Sequence, residues 1–133
     1  FPVSIVLAQA AIESAWGTSR FFLKANNPFG LWSFDPNEDR IVASSTRSGT
    51  KVYLRKFNNL EQAIVGYYTT LATGPFADFR KERRKTSNPY ILVKYLIDYS
   101  ERREAYVQEL TSVIKGNNLT KYDDYCIDPQ YIK

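Results

Sequence analysis

The sequence predicts an α+β fold that is predominantly α-helical, with one β-hairpin flanking a groove. Over most of the chain, apolar residues recur at helical spacing, and Gly, Asn or Pro residues mark where each helix should end. In one segment, short apolar runs are instead separated by turn residues. The length of 133 residues and the hydrophobic content of 44% suit one compact core. We therefore expect residues 1–133 to form a single domain and, because the chain opens on Phe1, to be a fragment of a longer one.

The first helix is predicted over residues 2–16, with a proline in its first turn and a glycine after its end. Apolar residues cover every face, and the polar exceptions are Ser4, Gln9, Glu13 and Ser14. An ionised Glu13 is costly to bury. Its carboxyl is therefore expected either to pair with a cation such as Arg20 or to be an acid with a raised pKa at a cleft wall. Trp16 is expected on the same helix face.

A β-hairpin is predicted between residues 41–43 and 52–57, because turn residues precede and separate these runs. The remaining helices are predicted over residues 19–24, 60–72, 76–84, 90–98 and 101–115. Asn58 or Asn59 is expected to cap the 60–72 helix. Its buried stripe is expected to contain Leu60, Ile64, Tyr67 or Tyr68, and Leu71.

The composition excludes several kinds of site. The chain has no histidine, so Ser-His and Cys-His catalysis and the usual metal sites lack an essential part, and we expect no metal. The one cysteine, Cys126, cannot form an internal disulfide and is expected to be a small packed side chain. A proton-transfer enzyme built from these residues has to use carboxylates, tyrosine or lysine.

The formal net charge of +4 favours binding to a polyanion, and nucleic acid and cell wall both qualify. The densest basic run, residues 80–85, is interpreted as a solvated helix end. The longest apolar run, residues 3–12, is too short to cross a bilayer, so we expect no membrane span.

Two motifs carry a family resemblance. Residues 8–17 read AQAAIESAWG, and residues 26–32 read NNPFGLW. Together they resemble the Bax-like branch of the glucosaminidase family, glycoside hydrolase family 73, and the similarity extends over most of the chain. The resemblance implies a lysozyme-like fold and an endo-β-N-acetylglucosaminidase that cleaves peptidoglycan glycan strands after N-acetylglucosamine, without a metal or an organic cofactor.

The resemblance also implies catalytic roles. Glu13 matches the catalytic Glu of the family motif and is expected to be the general acid, which delivers a proton to the glycosidic oxygen. Tyr99 matches the cleft tyrosine and is expected to hydrogen-bond the substrate's acetamido group or to position water. Tyr95 and Tyr106 are expected in the core.

Four residues of the second motif are expected to line the groove: Asn27, Phe29, Gly30 and Trp32. Trp32 is expected to be a sugar platform, since sugars bind to aromatic faces. Gly30 is expected to allow a tight turn and to contribute no chemistry of its own. For Phe29, a core position that fixes the loop beneath Glu13 is at least as well supported.

The second catalytic group stays open from the sequence. Family members often carry an acidic residue in the hairpin, but residues 44–50 contain none. One alternative is that an acid of the preceding loop activates water, namely Asp35, Glu38 or Asp39, although these residues also suit a solvated acidic loop. The other is that the substrate's own 2-acetamido group assists, and we favour it.

Other functions are weighed against this one. Muramidase or lytic transglycosylase chemistry uses a single Glu on a related fold, and a non-catalytic glycan-binding module belongs to another class. A nucleic-acid binder is the weakest alternative, because the basic residues lack regularly interleaved aromatics. We expect peptidoglycan as the partner, no nucleic acid, a monomer, and a location in the cell envelope, either periplasmic or extracellular.

Overall fold

The computed structural model describes residues 1–43, 49, 51–125 and 129–131, and it has the predicted α+β composition. Expectations for Cys126 and for most of the hairpin turn lie outside these residues. The helices are α1 (Val3–Glu13), α2 (Arg20–Ala25), α3 (Leu60–Thr73), α4 (Ala77–Glu82), α5 (Pro89–Leu92) and α6 (Glu104–Gly116). Short 3₁₀ helices cover Val93–Tyr99, Leu119–Tyr122 and Pro129–Tyr131, and the strands are β1 (Arg40–Val42) and β2 (Tyr53–Arg55).

The chain divides into two compact units. We call Gln9–Pro75 the central unit, and Phe1–Ala8 with Phe76–Lys133 the terminal unit. The division falls inside α1, so this helix contributes to both. Among the described residues, no helix is both long and apolar enough to cross a membrane. A single domain over residues 1–133 stays a prediction.

Helix α1 ends at Glu13, three residues before the predicted end. Ala15 and Trp16 have φ values of 50° and 56°, in the left-handed region that stops a helix. The Trp16 N–H donates to the carbonyl of Ala11 at 2.8 Å, and the Gly17 N–H donates to Ser14 Oγ at 2.9 Å. The prediction that Trp16 shares a helix face with Glu13 is therefore wrong.

The hairpin in the central unit confirms the prediction. Strands β1 and β2 are antiparallel, with Ile41 opposite Leu54. On the other edge of β2, Trp32 forms a bridge with Leu54. Around this bridge the Ser33 N–H donates to the carbonyl of Tyr53 at 2.8 Å, and the Arg55 N–H donates to that of Leu31 at 2.9 Å. Residues 31–33, at the end of the second motif, therefore pair with the free edge of β2 through an isolated bridge.

Helix α3 begins after Asn59, whose side chain accepts from the Gln62 N–H. Its buried residues are Ala63, Gly66, Tyr67 and Leu71, whereas the predicted stripe members Leu60 and Ile64 are exposed. The Phe57 ring packs closely on this buried face. A Cβ at Gly66 would lie 3.0 Å from the Phe57 ring, so position 66 has no room for a larger side chain.

The terminal unit has a core of aliphatic and aromatic side chains: Ile5, Phe79, Leu92, Val93, Leu96, Tyr106, Leu110 and Ile114. The predicted 90–98 helix is α-helical only in α5 and continues as a 3₁₀ helix, with a kink at Leu96 (φ −97°, ψ 15°). Tyr106 is buried as predicted. Tyr95 is exposed, which contradicts the prediction of a core position.

Two other boundaries in the terminal unit differ from the prediction. Helix α6 begins at Glu104, because Arg103 has a φ of 49°. Helix α4 ends at Glu82, and the basic run falls at its end, as the solvated interpretation predicts. Asp123 ties the later part of the unit to α1, since its carboxylate accepts from the backbone N–H of Ser4 at 2.7 Å and from its hydroxyl at 2.9 Å.

Candidate active site

Glu13 is the last residue of α1, and its side chain is half-buried. Gly30 lies directly against it. Gly30 has a φ of 62°, and a Cβ built on it would lie 3.0 Å from Glu13 Oε2 and 3.8 Å from Glu13 Cδ. A side chain at position 30 would therefore push on the carboxylate as well as strain the backbone. The structure thus brings the two sequence motifs together at Glu13.

The loop that presents Gly30 is held by Asn27, which is 1% exposed. Asn27 Nδ2 donates to the carbonyls of Leu31 and Arg55 at 3.0 and 2.9 Å, and Asn27 Oδ1 accepts from the Leu31 N–H at 3.1 Å. These bonds occupy the amide within the protein, so it has no free face for a sugar. We interpret Asn27 as a brace that joins the loop to β2, which corrects its expected place in the groove.

Phe29 is 2% exposed and stacks on Tyr67, with ring centroids 4.4 Å apart. The Tyr67 hydroxyl donates to Gln9 Oε1, and both side chains are fully buried. Gln9 lies one turn before Glu13 on α1. Of the two expectations for Phe29, the core position beneath Glu13 is the one that the structure supports.

Sequence reasoning missed the role of Tyr67. A signal existed, because Gln9 is a polar residue at a buried position of an apolar helix and a buried polar group needs a hydrogen-bond partner. The sequence alone offered several tyrosines for that partner. Only the packing of α3 in the central unit identifies Tyr67.

Trp32 is the groove candidate that remains accessible. Its side chain is 50% exposed, and its partner across the bridge, Leu54, is 6% exposed. Trp16 is also accessible, at 62% exposed. Arg20, the cation considered as a structural partner of Glu13, instead donates to the carbonyl of Val42 at 3.2 Å and lies beside the Phe21 ring.

The acidic loop before β1 is hydrogen-bonded within itself and paired with the sheet. Asp35 Oδ1 accepts from the Asn37 N–H at 2.9 Å, as in an Asx turn. Glu38 forms an ion pair of 3.6 Å with Arg55. The Asp39 side chain is exposed. Among the described residues, no cluster of three or more His, Cys, Asp or Glu side chains forms a metal-binding group.

Tyr99 belongs to the terminal unit, at the end of the Val93–Tyr99 helix. It is half-buried, and its ring is parallel to that of Tyr106, with centroids 5.9 Å apart and an interplanar angle of 3°. The Phe76 ring also packs against the Tyr99 ring, with centroids 6.0 Å apart. The ring is therefore fixed by aromatic packing, and a catalytic role for its hydroxyl stays a prediction.

An open cavity of about 450 Å³ lies elsewhere in the central unit. It is formed by Arg55 and Phe57 with the first half of α3, including Gln62 and Gly66. None of the predicted site residues lines it.

The family comparison covers almost the whole chain. The family model described as mannosyl-glycoprotein endo-beta-N-acetylglucosaminidase matches residues 1–132. Protein bax of Escherichia coli K12 is 29% identical over 124 residues, which cover 87% of this chain and 43% of that protein. The chain thus spans less than half the length of this relative.

Solved structures share the fold. The catalytic domain of the autolysin Auto from Listeria monocytogenes has a TM-score of 0.72 and 22% identity, covering 90% of this chain and 74% of that one. A peptidoglycan hydrolase from Sphingomonas sp. A1 has a TM-score of 0.72 and 21% identity, covering 96% and 86%. The glycoside hydrolase domain of FlgJ from Salmonella typhimurium, C-terminally truncated, has a TM-score of 0.63 and 21% identity, covering 88% and 83%. The lysozyme-like fold is confirmed.

Proposed function

Because the chain belongs to the glucosaminidase family of glycoside hydrolases, we propose that it cleaves the glycan strand of peptidoglycan after N-acetylglucosamine, with Glu13 as the general acid. The fold it shares with an autolysin and a peptidoglycan hydrolase supports this substrate. The observation that carries the assignment is the approach of Gly30 to Glu13 Oε2, which joins the two family motifs at one carboxyl.

Glu13 suits the acid role for a physical reason. Glycoside cleavage needs a proton on the leaving oxygen while positive charge develops on the sugar ring. The carboxyl stands at the C-terminal end of α1, where the helix dipole carries partial negative charge and disfavours the ionised form. Partial burial acts in the same direction, since it disfavours charge. Both effects favour a carboxylic acid that is ready to donate.

For the second group we retain assistance by the substrate's 2-acetamido group. Two of the three candidate carboxylates already have partners, since Asp35 accepts within its own turn and Glu38 pairs with Arg55. Asp39 is the remaining acid that would activate water if the acetamido group does not assist. Tyr99 is retained as the residue that would orient the acetamido group or water.

The cellular setting follows from this substrate. An enzyme of this kind acts on the cell wall, and we propose a periplasmic or extracellular location. The net charge of +4 would help to hold the enzyme on a wall that carries negative charge, so binding should weaken as salt is raised. A monomer without a nucleic-acid partner remains our expectation.

Product analysis tests the function. Purified peptidoglycan is digested, reduced with borohydride and examined by mass spectrometry to identify the sugar at the new reducing end. Reduced N-acetylglucosamine is the expected product. Reduced or anhydro N-acetylmuramic acid would instead assign the chain to the muramidase or lytic transglycosylase class, and the absence of cleavage would favour a glycan-binding module.

A further inference from the structure

A second exposed aromatic side chain lies beside Trp32. Phe34 is 83% exposed, although a phenylalanine is normally among the more buried residue types. The centroids of the Trp32 and Phe34 rings are 6.1 Å apart, and the ring planes are tilted by 40°. We call these two side chains the aromatic pair. An exposed apolar pair of this kind marks a binding surface more often than an isolated exposed residue does.

The extended backbone of residues 31–33 explains why both rings point outward. Its bonds to β2 through Leu31 and Ser33 hold the segment extended. Side chains alternate between the two faces of an extended chain, so Trp32 and Phe34 share one face while Leu31 and Ser33 share the other. The burial follows this pattern, because Leu31 and Ser33 are buried.

The same segment connects the aromatic pair to the proposed acid. Gly30, which faces Glu13 Oε2, is two residues before Trp32 and four residues before Phe34. Asn27 braces this segment at Leu31 by two hydrogen bonds. Both rings therefore belong to a segment that is hydrogen-bonded at Leu31 and Ser33. The segment starts at Gly30, beside the Glu13 carboxyl.

We propose that Phe34 is a second sugar-binding residue, and that with Trp32 it holds neighbouring sugars of one glycan strand away from the bond that is cut. The occupant is a β-linked N-acetylglucosamine-containing glycan, because aromatic rings bind the C–H faces of sugars and the family acts on such glycans. This inference rests on the proposed function. It predicts that Phe34 determines how strongly binding depends on the length of the glycan.

Binding is measured with a Glu13→Gln background, so that substrate is not consumed. The probes are soluble N-acetylglucosamine oligomers, from the disaccharide to chains long enough to cover both rings. Phe34→Ala should weaken binding of the long oligomers about three- to tenfold, the contribution of one stacked ring, and leave the disaccharide unaffected. Phe34→Tyr should restore the affinity. Leu23→Ala is the matched control, because Leu23 is 68% exposed on α2 and should have no effect.

Equal affinity of Phe34→Ala and its parent for every oligomer would overturn the proposal. A second result would also overturn it: Phe34→Ala leaves sugar binding unchanged but converts a protein dimer or larger assembly into monomers in analytical ultracentrifugation. The aromatic pair would then bind a second copy of the protein. Failure of the proposed function is distinguishable from these results. In that case product analysis gives no reduced N-acetylglucosamine, whatever the oligomer affinities are.

Discussion

The central and terminal units use polar side chains in different ways. Among the described residues, the buried polar side chains of the central unit are Gln9, Ser14, Asn27 and Ser33, whereas that of the terminal unit is Ser4. Ion pairs at the surface occur in both units: Glu38 with Arg55 in the central unit, and Arg102 with Glu109, Arg103 with Asp98, and Lys85 with Glu82 in the terminal unit.

This difference has a physical meaning. Exposed ion pairs contribute little to stability and tolerate changes in geometry. Buried hydrogen bonds fix geometry, since leaving a partner unsatisfied costs free energy. The central unit, which holds Glu13, is therefore the unit in which small changes should alter activity, whereas changes in the terminal unit away from Tyr99 should alter only stability.

Among the changes that test this difference between the units, Gly30→Ala should have the largest effect. The new Cβ would lie 3.0 Å from Glu13 Oε2, so the carboxyl has to shift, and turnover should fall by up to about 100-fold, which is the cost of a misplacement of about 1 Å. The left-handed backbone adds about 1–2 kcal/mol of destabilisation. Turnover on peptidoglycan and urea unfolding measure the two effects separately.

Gly17→Ala is the matched control for this change. Gly17 also has a positive φ, of 80°, but the nearest atom to its Cβ position is Phe22 Cε1 at an ordinary 3.9 Å. We expect a similar loss of stability with a much smaller loss of turnover. Equal losses of turnover in the two variants would show that backbone strain, rather than contact with Glu13, explains the effect.

Asn27→Ala should have the next largest effect. The change removes three hydrogen bonds and takes the Asn27 partner from the buried Leu31 N–H, at a cost of about 2–3 kcal/mol in the free energy of unfolding. Urea titration measures it. Asn37→Ala in the exposed loop is the control and should stay within about 0.5 kcal/mol of the parent. Similar values for both variants would contradict the bracing role.

Tyr67→Phe isolates the hydrogen bond to Gln9 while it keeps the ring that stacks on Phe29. We expect a loss of about 1–2 kcal/mol in the free energy of unfolding, because the Gln9 amide stays buried. The double variant Tyr67→Phe with Gln9→Leu should recover part of this loss, since both polar groups are then gone. A double-mutant cycle without coupling would show that this bond does not stabilise the central unit.

Asp123→Ala should have the smallest effect and only on stability. The Asp123 carboxylate satisfies the N–H and the hydroxyl of Ser4 in the first turn of α1, and a lost helix cap costs about 1 kcal/mol. Turnover at a temperature where the variant is folded should equal that of the parent. A large loss of turnover from this change in the terminal unit would contradict the functional difference between the two units.

Part of the structure could be predicted from the sequence. The family resemblance pairs the motif around Glu13 with the motif around Gly30, and the structure brings these two residues into contact. The hairpin and the Asn59 cap are predicted from local turn and cap chemistry, which depends on few neighbours.

The remaining features depend on tertiary packing. The end of α1 is set by left-handed residues at Ala15 and Trp16, which no local breaker indicates. The buried face of α3 contains Gly66, on which the Phe57 ring packs, and not the predicted Leu60 and Ile64, which are exposed. The partner of Gln9 is likewise fixed by the fold, because Tyr67 is 58 residues away in sequence.

The proposed mechanism depends above all on Glu13 as the general acid, and turnover of the Glu13→Gln variant is the decisive measurement. Gln has nearly the same size but cannot donate the proton, so hydrolysis of purified peptidoglycan should fall about 100- to 10,000-fold. The circular dichroism spectrum and thermal midpoint should match the parent, which would show that the fold is intact. A Glu13→Gln enzyme that cleaves glycan at a rate near that of the parent would contradict the proposed mechanism.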